Sequence, residues 1–286
     1  MLPLASVINI KHRMRKQFIW IAALLLGLAT SGCAERQSRE PFFVQISDPQ
    51  LGFINESADF SPEVALVERI AGEVNSLRPD FVVFSGDLVQ WRTDQAALDA
   101  FKQLTTLFDQ QIPLYFVPGN HDVGNTAEPD EVARFEERYG ASHFVWKGEG
   151  YTAIGYNSCV IKAQTEGEQS EYEWLRARLT EATERGYPII MVAHHPLFVH
   201  SADEADSGEN TPLAVRQKYL DLFAEFDVDL VLSGHLHRSA AGEYEGVRLQ
   251  TISAAGRPLG ECGSGIGVVT ISEGAVEVDF REVGDK

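Results

Sequence analysis

Positive charge is scarce in this 286-residue chain: 24 Lys and Arg stand against 42 Asp and Glu, a net charge of −18. Four of the basic residues, Lys11, Arg13, Arg15 and Lys16, lie in the first 33 positions, which hold no acid. The remainder has 20 basic residues against 42 acidic ones, a net of −22. Nucleic-acid binding depends on neutralising phosphates with Lys and Arg, so no nucleic-acid partner is expected. Cysteine is also scarce, with three residues. Beyond Cys33 only Cys159 and Cys262 remain. They can form one disulfide or stay as two buried thiols, and nothing in the sequence fixes their separation. Internal repeats and disordered low-complexity tracts are missing. An apolar content of 44% and a charged content of 23% are ordinary for a globular protein with a sizeable core. About 250 residues after the first segment suffice for one large domain or two small ones.

The N-terminal segment has its own pattern. A basic cluster, Lys11 to Lys16, precedes an apolar run from Phe18 to Thr30 that ends in small residues. That order describes an export signal. The run is short of the ~20 apolar residues that a membrane span needs. Ala29-Thr30-Ser31-Gly32-Cys33-Ala34 resembles a bacterial lipoprotein signal, with Thr30 where that pattern usually has Leu. Residues 1–33 are therefore expected to be a lipoprotein-like signal, residues 34–40 a polar tether, and 41–283 the folded domain. The expected location is the bacterial cell envelope or periplasm, with a lipid on Cys33 touching the membrane. An ordinary signal cut near Ser31 and an uncleaved anchor are the alternatives.

Within the domain, short buried runs alternate with helical stripes. Phe42–Ile46, Phe81–Phe84 and Leu114–Val117 are expected strands, separated by helices from Ser61, capped by that Ser, and over 94–109. This alternation implies parallel strands with crossover helices. Farther on, a strand is expected over 151–157, a helix over 170–185 capped by Ser170, a strand over 189–192, a helix over 212–226 and a strand over 228–232. Only strands follow, near 247–254, 266–271 and 276–282. The expected fold is α/β, with two mixed β-sheets packed as a sandwich with flanking helices. Residues 200–211, rich in Asp, Glu, Ser and Gly, read as a surface loop able to act as a lid.

Five expected strand ends carry metal-type donors: Asp48 with Gln50, Asp87, Asn120 with His121, His194 with His195, and His235 with His237. Carboxylate, amide oxygen and imidazole suit Mn, Fe or Zn. Singly, each residue reads as a turn cap or a satisfied polar group. Ligand sites in open α/β sheets, however, lie outside the carboxyl ends of strands, and these residues recur there. A pair of bound cations would also supply the local positive centre that an anionic substrate needs to approach so acidic a chain.

In order, Asp48-x-Gln50, Gly86-Asp87, Gly119-Asn120-His121-Asp122, His194 and Gly234-His235-x-His237 resemble the calcineurin-like metallophosphoesterase signature over about residues 42–280. Asp48-Pro49-Gln50-Leu51-Gly52 and Ser233-Gly234-His235-Leu236-His237-Arg238 resemble its calcineurin-like phosphoesterase domain-containing branch, similar to the complete-S-transactivated phosphatase. The resemblance implies two divalent metal ions (Mn, Fe, Mg or Zn, with Mn and Fe favoured). Asp48, Gln50 and His237 would hold the first, Asp87 would bridge both, and Asn120, His194 and His235 would complete the second. His121 would serve the leaving group, with Asp122 orienting it. Most of the family has His where this chain has Gln50, and a neutral amide oxygen there favours Mn, Fe or Mg over Zn. The implied activity is phosphoester hydrolysis by a metal-bridged hydroxide. A phosphomonoesterase acting on a small phosphorylated substrate or a phosphoprotein is expected. A phosphodiesterase acting on cyclic nucleotides or nucleotide-diphosphate compounds, and a non-catalytic metal- or phosphate-binding module, are the alternatives. Trp91, Arg92 and Arg257 are weaker candidates for the pocket rim, and His143 and His200 read as exposed polar residues.

Overall fold

The computed structural model describes residues 39–56 and 59–283. The expected signal segment, Cys33 and all of the tether before Arg39 lie outside the described residues. Among those described, no helix is long and apolar enough to cross a membrane.

Two mixed sheets form the body of the domain. The first contains β1 (Phe42–Ile46), β2 (Val82–Phe84), β3 (Leu114–Phe116), β10 (Gly265–Ser272) and β11 (Ala275–Glu282), in the order β11-β10-β1-β2-β3. The second contains β4 (Phe144–Gly148), β5 (Tyr151–Gly155), β6 (Ile189–Val192), β7 (Leu230–Ser233), β8 (Ala240–Tyr244) and β9 (Val247–Thr251), in the order β4-β5-β6-β7-β9-β8. Each has a parallel centre, β1-β2-β3 in one and β5-β6-β7-β9 in the other, with antiparallel strands outside it. The parallel strands are joined by α1 (Ser61–Leu77), α2 (Gln95–Thr105), α5 (Ser158–Ala163), α6 (Gly167–Arg185) and α7 (Leu213–Glu225). Two further helices, α3 (Asn120–Val123) and α4 (Pro129–Tyr139), follow β3.

The side-chain alternation of a strand sorts residues into two cores. In β1, Val44 and Ile46 join the helix-covered cluster, whereas Phe43 joins the one between the sheets. There Phe43 stacks on Phe81 at 4.6 Å and on Tyr151 at 6.1 Å, and Tyr115 stacks on Phe144 at 4.4 Å. These rings join the first sheet to β4 and β5 of the second. Near the carboxyl ends of the strands, a polar link replaces the aromatic one. The Gln45 amide donates to Ser85 Oγ at 2.9 Å and to the carbonyl of Ser233 at 3.1 Å, tying β1 to β7.

Several local expectations differ from the structure. Ser61 is the first residue of α1 and not its cap; its amide and hydroxyl both donate to Asp59. Ser170 lies inside α6, which begins at Gly167. Strands β4 and β8 and helix α4 fall outside the expected elements: β4 is Phe-Val-Trp-Lys-Gly, β8 is Ala-Ala-Gly-Glu-Tyr with no buried position, and α4 fully buries only Phe135. Cys159 and Cys262 are both unpaired, the first buried. His143 is not a plain exposed polar group, because it stacks on Trp174 at 3.9 Å and meets Glu171.

The inter-sheet rings carry much of the packing, so Phe81→Ala is expected to destabilise the domain by about 3–5 kcal/mol. A urea titration checks this: the midpoint should fall with the slope unchanged.

Candidate metal centre

All the expected site residues lie on one rim, where the parallel strands of both sheets end. Asp48 and Gln50 follow β1, Asp87 follows β2, Asn120 opens α3, His194 follows β6, and His235 and His237 follow β7. These turns are tight. Asp48, Gln50, Asp87, His235 and His237 all have positive φ, between 40° and 70°. Such backbone costs of order 1 kcal/mol per non-Gly residue, so the surroundings must enforce it. Glycines make room for it. A Cβ at Gly119 would overlap the Asp87 carboxylate, and one at Gly234 would overlap Ser47 Oγ and the Asp48 carboxylate.

Four donor atoms converge on one point. His194 Nε2 lies 3.2 Å from Asn120 Oδ1, 3.1 Å from His235 Nδ1 and 3.3 Å from Asp87 Oδ2. Beside them, His237 Nε2 lies 3.5 Å from Asp48 Oδ1. Backbone carbonyls set the tautomer of each ring. His194 Nδ1 donates to Ser85 at 3.0 Å, His235 Nε2 to Gly208 at 2.9 Å, and His237 Nδ1 to Arg257 at 2.6 Å. Each ring is thereby held with its other nitrogen turned toward the cluster, as metal-ligating imidazoles are.

Two oxygens test whether the site fits a cation. Asp48 Oδ1 and Gln50 Oε1 are buried and have no hydrogen-bond partner. An unpaired buried acceptor costs about 1–3 kcal/mol, more for a charged one. The Gln50 amide is oriented by its other end, where Nε2 donates to Gln90 Oε1 at 2.8 Å. Gln50 therefore keeps its acceptor oxygen free, as a ligand requires. The buried acceptors and the neighbouring groups of Asp48, Asp87, His194 and His235 fit cation binding.

The charges respond to this crowding. Burial opposes charge on His194, but the Asp87 and Asp48 carboxylates raise its pKa to about 9. Burial and the His194 charge lower His235 to about 3. Burial also disfavours ionised Asp87, yet the imidazoles of His194, His121 and His235 hold it well below the usual carboxylate range. Asp122 is pushed up to about 7 by burial and by Asp87, against the amides of Gly119 and Leu88.

Asp122 does not orient the His121 ring. Its oxygens accept the backbone amides of Asp87 at 2.8 Å, Leu88 at 2.9 Å and Gly119 at 2.8 Å, so it clamps the bridging-ligand loop to the Asn120 loop. His121 is oriented instead by the Gln90 carbonyl, which accepts from Nδ1 at 2.7 Å. Gln90 thus holds both Gln50 and His121. Nothing in the sequence singles it out beyond a polar residue three positions after Asp87. His195 sits beside the cluster with its ring 4.5 Å from that of His235. His194, His195 and His235 are also close enough to share an ion, but the Asp87–Asn120–His194–His235 set has the shorter separations and includes an anion. Trp91 is exposed at the rim with its ring 6.3 Å from His121, and Arg257 packs its guanidinium 5.3 Å from the Phe53 ring. Arg92 pairs with Glu131 at 3.2 Å. His200 is exposed.

A two-sheet sandwich carrying this cluster at its strand ends defines a dinuclear metal-dependent hydrolase. The family model for calcineurin-like phosphoesterases matches residues 43–239. The bovine serine/threonine-protein phosphatase CPPED1 is 34% identical over 266 residues, covering 85% of this chain and 84% of its own length. A probable cyclic nucleotide phosphodiesterase of Rhodococcus erythropolis is 28% identical, covering 77% of this chain and 73% of its own. In fold, the chain is similar to a dimetal phosphatase from Danio rerio, with a TM-score of 0.63, 13% identity and coverage of 86% of this chain and 97% of that one. The chain belongs to the calcineurin-like phosphoesterase family and is a hydrolase acting on phosphoester bonds.

A proton on His194 competes with a cation for Nε2, so metal uptake should release protons. The apparent Mn affinity is expected to rise with pH, by up to about tenfold per unit for one displaced proton, and to level off above about pH 9. Calorimetric titration in two buffers of different ionisation enthalpy measures both the slope and the proton count.

Proposed function

We propose that the protein is a dinuclear-metal phosphomonoesterase, a phosphatase. The observation that carries this reading is the convergence of His194, Asn120, His235 and Asp87 at 3.1–3.3 Å beside the two unpartnered oxygens of Asp48 and Gln50. Asp48, Gln50 and His237 would hold the first cation, Asp87 would bridge, and Asn120, His194 and His235 would hold the second. When bound, such a pair acidifies a shared water and offsets charge on phosphoryl oxygens. The amide oxygens of Gln50 and Asn120 and the two carboxylates make a hard donor set, which favours Mn or Fe, then Mg, over Zn.

The chain's own residues supply position and a proton. His121 is fixed by its Nδ1 bond to Gln90, so Nε2 is the ring atom available to protonate the departing oxygen. Its backbone amide donates to Asp87 at 2.8 Å, so the acid and the bridging ligand move together. Asp122 acts as a positioning residue through its three amide contacts. Exposed Trp91 beside His121 offers an apolar face to the leaving group.

The monoester reading is supported by the relatives that are serine/threonine-protein phosphatases. The substrate class is small phosphorylated molecules or phosphoproteins. Diester hydrolysis is the second reading, favoured by the 28%-identical phosphodiesterase relative. The basic-apolar-Cys33 pattern supports export and a lipid anchor at the cell envelope.

The test strips the purified protein with chelator and reloads it with Mn, Fe, Mg or Zn. Turnover is then followed on a chromogenic phosphomonoester and on the matching diester, with Asp87→Asn as control. Metal-dependent monoester hydrolysis that Asp87→Asn abolishes is expected. Comparable or faster diester turnover would select the second reading. Two bound ions with no turnover on either would leave a binding module. His121→Ala is expected to keep its metals and lose ~10²–10⁴-fold in kcat on alkyl phosphates, with a smaller loss on aryl phosphates with good leaving groups. Equal losses on both would remove His121 from the proton transfer.

A further inference from the structure

Beside the metal centre is a cavity of about 200 Å³, lined by Gly124, Asn125, Cys159, Lys162, His195 and Gly208. It adjoins the cluster through two groups. The His195 ring packs 4.5 Å from that of His235, and the Gly208 carbonyl accepts from His235 Nε2 at 2.9 Å. The exposed residues Asn125 and Gly208 mark its mouth, and buried Gly124, Cys159 and His195 mark its floor.

Two side chains in its wall have a donor hydrogen to spare. Lys162 Nζ donates to the carbonyls of Gly208 at 2.6 Å and Asn210 at 2.8 Å. An ammonium has three hydrogens, so one remains. No carboxylate pairs with Lys162 among the described residues, and Glu209, whose charge bears on it, is engaged by Arg238 through two bonds of 2.8 and 2.9 Å. A half-buried lysine without a counter-ion is unusual in a chain of net charge −18. His195 is the second donor. Ser158 Oγ accepts the amides of His194 at 3.2 Å and His195 at 2.9 Å, so its own proton points to His195 Nδ1, 3.4 Å away. The ring hydrogen then sits on Nε2, which has no protein partner among the described residues although the residue is only 3% exposed.

We propose that this cavity is an anion subsite, in which Lys162 Nζ and His195 Nε2 receive a second anionic oxygen group, carboxylate or phosphate, carried by the leaving group of a small phosphomonoester. The assignment rests on the phosphatase reading and narrows its substrate class. Attraction to one cation and one neutral donor selects charge at a distance from the reacting phosphate, and the cavity's size limits the group to a small one. The same Lys162 hydrogen bonds brace the Gly208 carbonyl behind His235, so a purely structural role is the competing explanation.

The test uses non-hydrolysable probes and the purified, Mn-loaded protein. Alkylphosphonates of two to four carbons are compared by calorimetry with phosphonoalkanoates of equal length, which add a terminal carboxylate, and with bisphosphonates, which add a second phosphonate. At least one length is expected to bind roughly tenfold tighter than its uncharged partner, a preference that added salt weakens. Lys162→Met should bring that ratio to about one, and Lys162→Arg should keep it above one. The carboxylate and bisphosphonate arms show which anion is preferred. Equal affinities at every length would overturn the subsite, as would a ratio that survives Lys162→Met while both affinities fall together. Failure of any phosphonate to bind would overturn the phosphatase reading beneath it.

Discussion

Two fully buried carboxylates, Asp48 and Asp87, are the constraint around which the domain is arranged. Ionised carboxylates in a dry interior are tolerated only when paired or coordinated. Among the described residues, no Arg or Lys pairs with them. The chain surrounds them with imidazoles whose far nitrogens are tied to the carbonyls of Ser85, Gly208 and Arg257, leaving the other nitrogen of each ring turned inward. One Asp48 oxygen is left without a hydrogen bond. A cluster that collects acceptors around anions is stable only in company with cations, and the left-handed backbone at five of the seven proposed ligand positions is the local cost of building it.

That cost is distributed over both sheets. The clustered side chains leave β1 and β2 on one side and β6 and β7 on the other, so the sandwich must be held in register at its rim. Gln45 reaches across to the Ser233 carbonyl, and His194 of the second sheet donates to Ser85 of the first. Asp122 then locks the Asp87 turn to Gly119. The rim is therefore a hydrogen-bonded seam, whereas the far end of the sandwich is closed by stacked rings. A polar seam fixes direction to within a few tenths of an ångström, which apolar packing alone does not.

Much of this was legible in the sequence. Strand ends with Asp, Asn and His can be read because β-branched and aromatic runs stop just before them, at a glycine for Asp87, Asn120 and His235, and the parallel centre of each sheet follows from strand-helix alternation. Some outer elements were not legible: β8 buries nothing fully, and α4 turns one Phe inward, so neither has an apolar period to detect. The proposed ligand set was readable as residue types, but their orientation was not. Carbonyls orient the rings, and a carbonyl has no sequence signature. Asp122 shows the difference: adjacency to His121 suggests a partner for that ring, while the fold turns its carboxylate toward three amides and gives His121 to Gln90.

Gln90 also bears on the one departure from the family's usual ligand set. An amide in place of an imidazole at residue 50 can face a cluster with either its oxygen or its nitrogen, and only the oxygen ligates. The parallel bridge between Leu51 and Val89 brings Gln90 alongside Gln50, and the bond from Nε2 to Gln90 removes that ambiguity. The two glutamines are therefore joined as one unit. The proposed first site would then combine two carboxylates, one amide oxygen and one imidazole, a harder set than two imidazoles would make. Its occupancy would then depend on which cation is supplied, and the net charge of −18, which repels anionic esters, would favour the approach of divalent cations.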